Sequence, residues 1–106
     1  MNVNYTFDLD KAASFLGLMG NEARMHVLLL TVEHEWDVGS LAKEVNISQP
    51  ALSQHLRKLK HDQLVTTRRD GKTIYYLCSS PAVAAMLKTL KDVYPKRGTK
   101  KLRRTA

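Results

Sequence analysis

Cysteine is nearly missing from this chain: Cys78 stands alone among 106 residues. That excludes an intrachain disulfide and any metal site built from several thiolates. Long apolar runs are missing too. The most apolar stretch, Val27 to Val32, falls far short of the ~20 residues needed to span a bilayer. Residues 1–15 lack the basic start and apolar run of a secretory signal. The expectation is a cytoplasmic protein with no membrane contact. Catalytic constellations are absent as well: no Gly-rich phosphate loop, no Cys–His pair with an orienting acid, no paired acids at a plausible site. No enzyme and no cofactor are expected.

Acids are scarce in one half of the chain. Net charge is +7, but residues 1–47 hold three basic and seven acidic side chains, whereas residues 48–72 hold six basic and two acidic. From Lys96 onward there are six basic residues and no acid. A local positive patch on an otherwise acidic or neutral body attracts nucleic acid and releases counterions on binding.

The patch coincides with the most structured pattern in the sequence. Leu41, Ala42 and Val45 recur at helical spacing and Asn46-Ile47 interrupts them. Ser48 is an N-cap and Pro50 is tolerated in the first turn that follows. Leu52, Leu56 and Leu59 form one stripe of a helix from Gln49 to about His61. Ser53, Gln54 and Arg57 point away from that stripe, with Gln49 at its edge. This outer face carries no Asp or Glu until Asp62, whereas an ordinary solvated helix mixes both signs. Gln suits adenine, Ser suits either base type, and Arg or Lys suits guanine or phosphate. Residues 64–69 and 72–77 are β-branched and aromatic, as strands prefer. Asp70-Gly71 between them predicts a type I′ hairpin turn, with positive φ at both residues.

The rest is helical. Asp8 or Asp10 caps a helix to about Met19, a second runs roughly from Asn21 to His34, and Asp37 caps a third over Val38 to Val45. Ser80 caps a last helix from Pro81 to about Val93. The fold expected is mainly α with a small β-hairpin, a winged helix-turn-helix. Residues 1–7 are a flexible arm, 8–95 the domain, and 96–106 a basic, disordered tail. The first and last helices carry more apolar side chains than a small core can cover, so a homodimer is expected through Phe15, Met19, Leu87, Leu90 and Tyr94.

The residues Gly20-Asn21-Glu22-Ala23-Arg24, the run from Ile47 through Ser48-Gln49-Pro50-Ala51-Leu52-Ser53-Gln54-His55 to Leu56, and Leu64-Val65 leading to Arg68-Arg69-Asp70-Gly71-Lys72 and Ile74-Tyr75-Tyr76 resemble an ArsR/SmtB-type winged helix-turn-helix transcriptional repressor. The likeness covers residues 8–94 and is greatest to the NolR/HlyU-like branch. It implies a bacterial homodimer that binds an inverted repeat in double-stranded promoter DNA. It puts DNA contacts at Ser48, Gln49, Ser53, Gln54, Arg57 and Lys58, and wing contacts at Arg68, Arg69 and Lys72. Where many metal-sensing members have Cys-x-Cys, this chain has Asp37-Val38-Gly39. Its last helix has no His, and the paired sensing cysteines of a sulfide-responsive branch match Leu29 and Pro95. No metal site is expected, and the effector is unidentified.

Other functions compete with this one. His55 is either packed or phosphate-facing, and His26, His34 and His61 lack ligand spacing. Cys78, without a resolving partner, is structural or, alternatively, a redox sensor. A metal- or redox-responsive member with a non-standard site, a winged-helix protein-binding module, and an RNA-binding domain that stacks bases on sheet aromatics remain alternatives.

Overall fold

The computed structural model describes residues 6–96. Residues 1–5 of the expected arm and residues 97–106 of the expected tail lie outside the described residues. Five helices and three short strands follow in the order α1 (Leu9–Met19), α2 (Glu22–Thr31), β1 (Trp36–Asp37), α3 (Val38–Val45), α4 (Gln49–His61), β2 (Thr66–Asp70), β3 (Thr73–Leu77) and α5 (Pro81–Val93). No described helix is long and apolar enough to cross a membrane.

Each helix begins where a short polar side chain can accept an otherwise unpaired N–H. Asp8 accepts from Lys11, Asn21 from Arg24, Asp37 from Ser40, Ser48 from Ala51 and Ser80 from Val83. The helix ends around the DNA-reading candidate are equally defined. Asn46 after α3 has φ 65° and Gln63 after α4 has φ 64°. In both, the next residue donates back five positions, Ile47 N–H to the Ala42 carbonyl and Leu64 N–H to the Leu59 carbonyl. These are Schellman closures. The first turns the chain from α3 into α4. The second delivers Leu64 and Val65 into the core ahead of the hairpin.

α2 stops at Thr31, short of the expected His34, and its last carbonyls, which no helix can pair internally, find partners elsewhere in the fold. Trp36 Nε1 donates to Leu30 O at 3.1 Å, and Cys78 N donates to Thr31 O at 3.0 Å. The indole also stacks on His34, with ring centroids 5.0 Å apart. Trp36 thereby starts a third strand that the sequence pattern does not reveal. The sheet order is β1-β3-β2, antiparallel throughout.

The hairpin turn also differs from expectation. Asp70 pairs with Thr73, so the two loop residues are Gly71 and Lys72 rather than Asp70 and Gly71. Among the described residues only Gly71, at 65°, has positive φ there. Positive φ at the first loop residue alone is the φ pattern of type II′, which requires glycine only at that position.

The core draws on every helix: Met19, Val27, Leu28, Leu41, Ala42, Leu52, Leu56, Leu59, Val83 and Leu87 are buried with Leu64, Val65 and Cys78. The leucine stripe of α4 thus faces inward as its spacing predicts, and this orientation fixes which side chains α4 presents outward.

Candidate nucleic-acid interface

With Leu52, Leu56 and Leu59 buried, the exposed residues of α4 are Gln49, Pro50, Ala51, Ser53, Gln54, Arg57, Lys58, Lys60 and His61. No carboxylate interrupts this face. The first acid is Asp62 at the C-cap, and its Oδ1 lies 3.0 Å from His61 Nδ1. Ser48 is exposed, but its hydroxyl oxygen accepts the Ala51 N–H at 3.2 Å, so its first task is to cap α4. Gln49 lies against the start of α3: a Cβ added to Gly39 would stand 3.6 Å from Gln49 Nε2 and 3.4 Å from Asp37 Oδ2. Asp37 is held below the usual carboxylate range by its hydrogen bonds to Ser40, so it stays charged as the cap of α3.

His55 is half-buried on α4, with Nδ1 3.4 Å from Arg24 Nη1. A guanidinium has only donors, so Nδ1 must accept. Burial first, then the Arg24 and Lys58 charges, pushes the imidazole below its ordinary range. At neutral pH it is uncharged and packed, not a cation aimed at phosphate. Arg24 itself donates to Leu18 O at 2.7 Å and Gly17 O at 3.3 Å. It ties the end of α1 to α2 and α4.

On the hairpin, Arg68, Arg69 and Lys72 are all exposed, yet they are not equivalent. Arg68 grips Glu35 side-on, Nε to Oε2 and Nη2 to Oε1, both at 2.8 Å, with its guanidinium carbon 4.8 Å from the centre of the Tyr75 ring. Arg69 Nη1 reaches only Gly71 O, at 3.4 Å. Tyr75 lies beneath Arg68 and Tyr76 packs against the core, so neither tyrosine offers the open face that base stacking on a sheet needs.

The expected pairing residues divide. Met19 and Leu87 are buried in the core of the single chain, at 2% and 4% exposure. Phe15 lines an open groove of about 680 Å³ between α1, the end of α4 and the start of α5, while Leu87, Leu90 and Tyr94 line one of about 310 Å³ between α2 and α5. The large apolar side chains left in solvent are Phe7, Leu9 and Leu16 at α1, and Val93 and Tyr94 at the end of α5. Among the described residues no three His, Cys, Asp or Glu side chains are grouped to hold a metal ion. Cys78 is 2% exposed and its thiol is pushed up by burial, away from the reactive thiolate.

Known proteins bear on this arrangement directly. Residues 21–67 match the family model described as bacterial regulatory protein, arsR family. The nodulation protein NolR of Rhizobium meliloti is 51% identical over 87 residues, which cover 82% of this chain and 71% of the relative. The transcriptional activator HlyU of Vibrio cholerae is 42% identical over 84 residues, 79% of this chain and 78% of the relative. The crystal structure of NolR from Sinorhizobium fredii superposes with a TM-score of 0.80 at 43% identity, covering 89% of this chain and 97% of that one. With its winged helix-turn-helix and a basic outer face on α4, the chain belongs to the arsR family of bacterial regulatory proteins, DNA-binding transcription regulators and not enzymes.

Proposed function

We propose that the chain is a homodimeric repressor that binds an imperfect palindromic operator, with α4 in the major groove and the β2–β3 wing on the flanking backbone or minor groove. The observation that carries this is the acid-free outer face of α4, where Gln49, Ser53, Gln54, Arg57 and Lys58 are exposed together. Gln54 and Gln49 supply the bidentate amide that reads adenine, Arg57 and Lys58 engage guanine or phosphate, and Arg69 and Lys72 grip the backbone. Pairing is supported by the uncovered Leu9, Leu16, Val93 and Tyr94 on the terminal helices, 47%, 50%, 58% and 75% exposed. Two such copies related by a two-fold axis set half-sites about one helical turn apart, 10–10.5 bp or a multiple.

Footprinting on promoter DNA tests the arrangement: two protected half-sites in inverted orientation are expected, and protection of one asymmetric half-site by a monomer refutes it. Substitutions then separate reading from gripping. Gln54→Ala should cost about 1–3 kcal/mol at its preferred base and flatten sequence preference. Lys72→Ala should weaken all duplexes alike and lower the salt slope by about 0.9.

A further inference from the structure

Resting on that function, we propose that Arg68 is a positioning residue of the wing, not a phosphate contact: through Glu35 and Tyr75 it clamps the hairpin to the body so that Arg69 and Lys72 reach the DNA backbone.

The sheet register carries the argument. Arg68 pairs with Tyr75, and Tyr75 pairs with Asp37. Directly paired strand residues project to the same face, so Arg68, Tyr75 and Asp37 share one face, and the two bonds to Arg68 bring Glu35, just before β1, to that side. Arg68 therefore reaches from the edge strand β2, across the ring on β3, to the acid at the entrance of β1. The clamp crosses all three strands. Arg69 pairs with Ile74 and points to the opposite face, so the two arginines cannot serve the same phosphate.

β2 needs such a clamp. All five of its residues are exposed, and among the described residues its only strand partner is β3. Exposed ion pairs contribute little when two long side chains must be held in one geometry. This pair is the favourable exception, a side-on fork of two short charge-assisted bonds with the guanidinium also seated over an aromatic ring. Its positive charge is compensated by Glu35, so it displaces few counterions from DNA.

The two roles make opposite forecasts for Glu35→Gln. Removing an acid near the wing should strengthen binding if Arg68 is thereby freed for phosphate. It should weaken binding if the pair holds the hairpin in place. The experiment uses the full chain and a labelled duplex enriched by the wild-type protein from a random pool, with affinity measured across a salt series. For the clamp, Glu35→Gln and Arg68→Ala should each weaken binding roughly two- to fivefold, the range an exposed pair can supply. Their salt slopes should stay within about 0.3 of wild type, while Arg69→Ala and Lys72→Ala each lower the slope by about 0.9. Amide hydrogen exchange in β2 should quicken in the first two variants and not in the last two. The exchanged pair Glu35→Arg with Arg68→Glu should recover affinity. Tighter binding by Glu35→Gln, or loss of a full contact from the slope of Arg68→Ala, overturns the proposal. A wild-type protein that enriches no duplex instead refutes the DNA-binding function on which it rests.

Discussion

Arg24 joins the helix expected to pair subunits to the helix expected to read DNA, and Arg24→Met tests whether that junction matters. The last four carbonyls of a helix have no intrahelical partner. Gly20 N–H takes Leu16 O at 2.8 Å, and the Arg24 side chain takes two more, Leu18 O at 2.7 Å and Gly17 O at 3.3 Å. A hydrogen bond from a charged donor contributes about 1.5–3 kcal/mol, and a cation at a helix C-terminus about 0.3–1 kcal/mol. The second bond is long and exposed, and methionine retains much of the packing of the aliphatic stem. The net loss should be about 2 kcal/mol, which lowers Tm by roughly 10 °C in a domain of this size. Measurements belong at one fixed protein concentration, because subunit association adds to apparent stability.

The same substitution has a second, independent readout. Burial, Arg24 and Lys58 together hold His55 below its ordinary range, burial being the largest cause. Removing the guanidinium should raise the His55 pKa without returning it to the free value, as followed by NMR titration of the ring. A histidine with a depressed folded pKa stabilises the fold above its unfolded value of about 6.5, and that stability is lost as pH falls through the folded value. Wild type should therefore lose stability on acidification below about pH 6.5, and Arg24→Met should lose less over the same range. An unmoved His55 titration with a Tm change under about 1 °C would refute the junction.

Local chemistry made much of this architecture legible. Asp37, Ser48 and Ser80 stand in the sequence immediately before apolar helical periods, and each caps the helix expected of it. The spacing of Leu52, Leu56 and Leu59 assigns the inner side of α4, and so its outer side as well. What the sequence hid is long-range. Glu35 and Arg68 lie 33 residues apart, and Arg24 and His55 lie 31 apart, so no window along the chain joins them. β1 is two residues long and exists because Trp36 and Asp37 meet β3, a fact of tertiary structure. The hairpin turn moved by one residue because strand pairing at Asp70–Thr73 overrode the dipeptide signal of Asp70-Gly71. Met19 and Leu87 belong to apolar stripes as their spacing suggests, but the fold turns both into the core of one chain.

Further outcomes follow from the same contacts. Leu16→Glu or Tyr94→Glu should shift a homodimer toward monomer in sedimentation, whereas unchanged mass for both would place the subunit contact elsewhere. Cys78, buried with a raised pKa, should react with iodoacetamide in the native chain far more slowly than in the unfolded one, and its ionisation should erode stability only as pH climbs past the ordinary thiol range. Equal native and denatured rates would show the core to be open there. The last concerns the residue that closes α4. Gln63 holds φ at 64°, where an L side chain costs about 1–2 kcal/mol, and glycine forfeits about 0.5–1 kcal/mol of that advantage through its freer unfolded chain. Gln63→Gly should thus gain about 0.5–1 kcal/mol, a rise in Tm of several degrees. Asn46, at φ 65°, already has a short side chain that tolerates this region, so Asn46→Gly should gain less and Gln63→Asn should fall between. A Gln63→Gly protein that melts at or below wild type would mean that the glutamine side chain, which lines the groove beside Phe15 and Leu64, stabilises the end of α4 more than its backbone strains it.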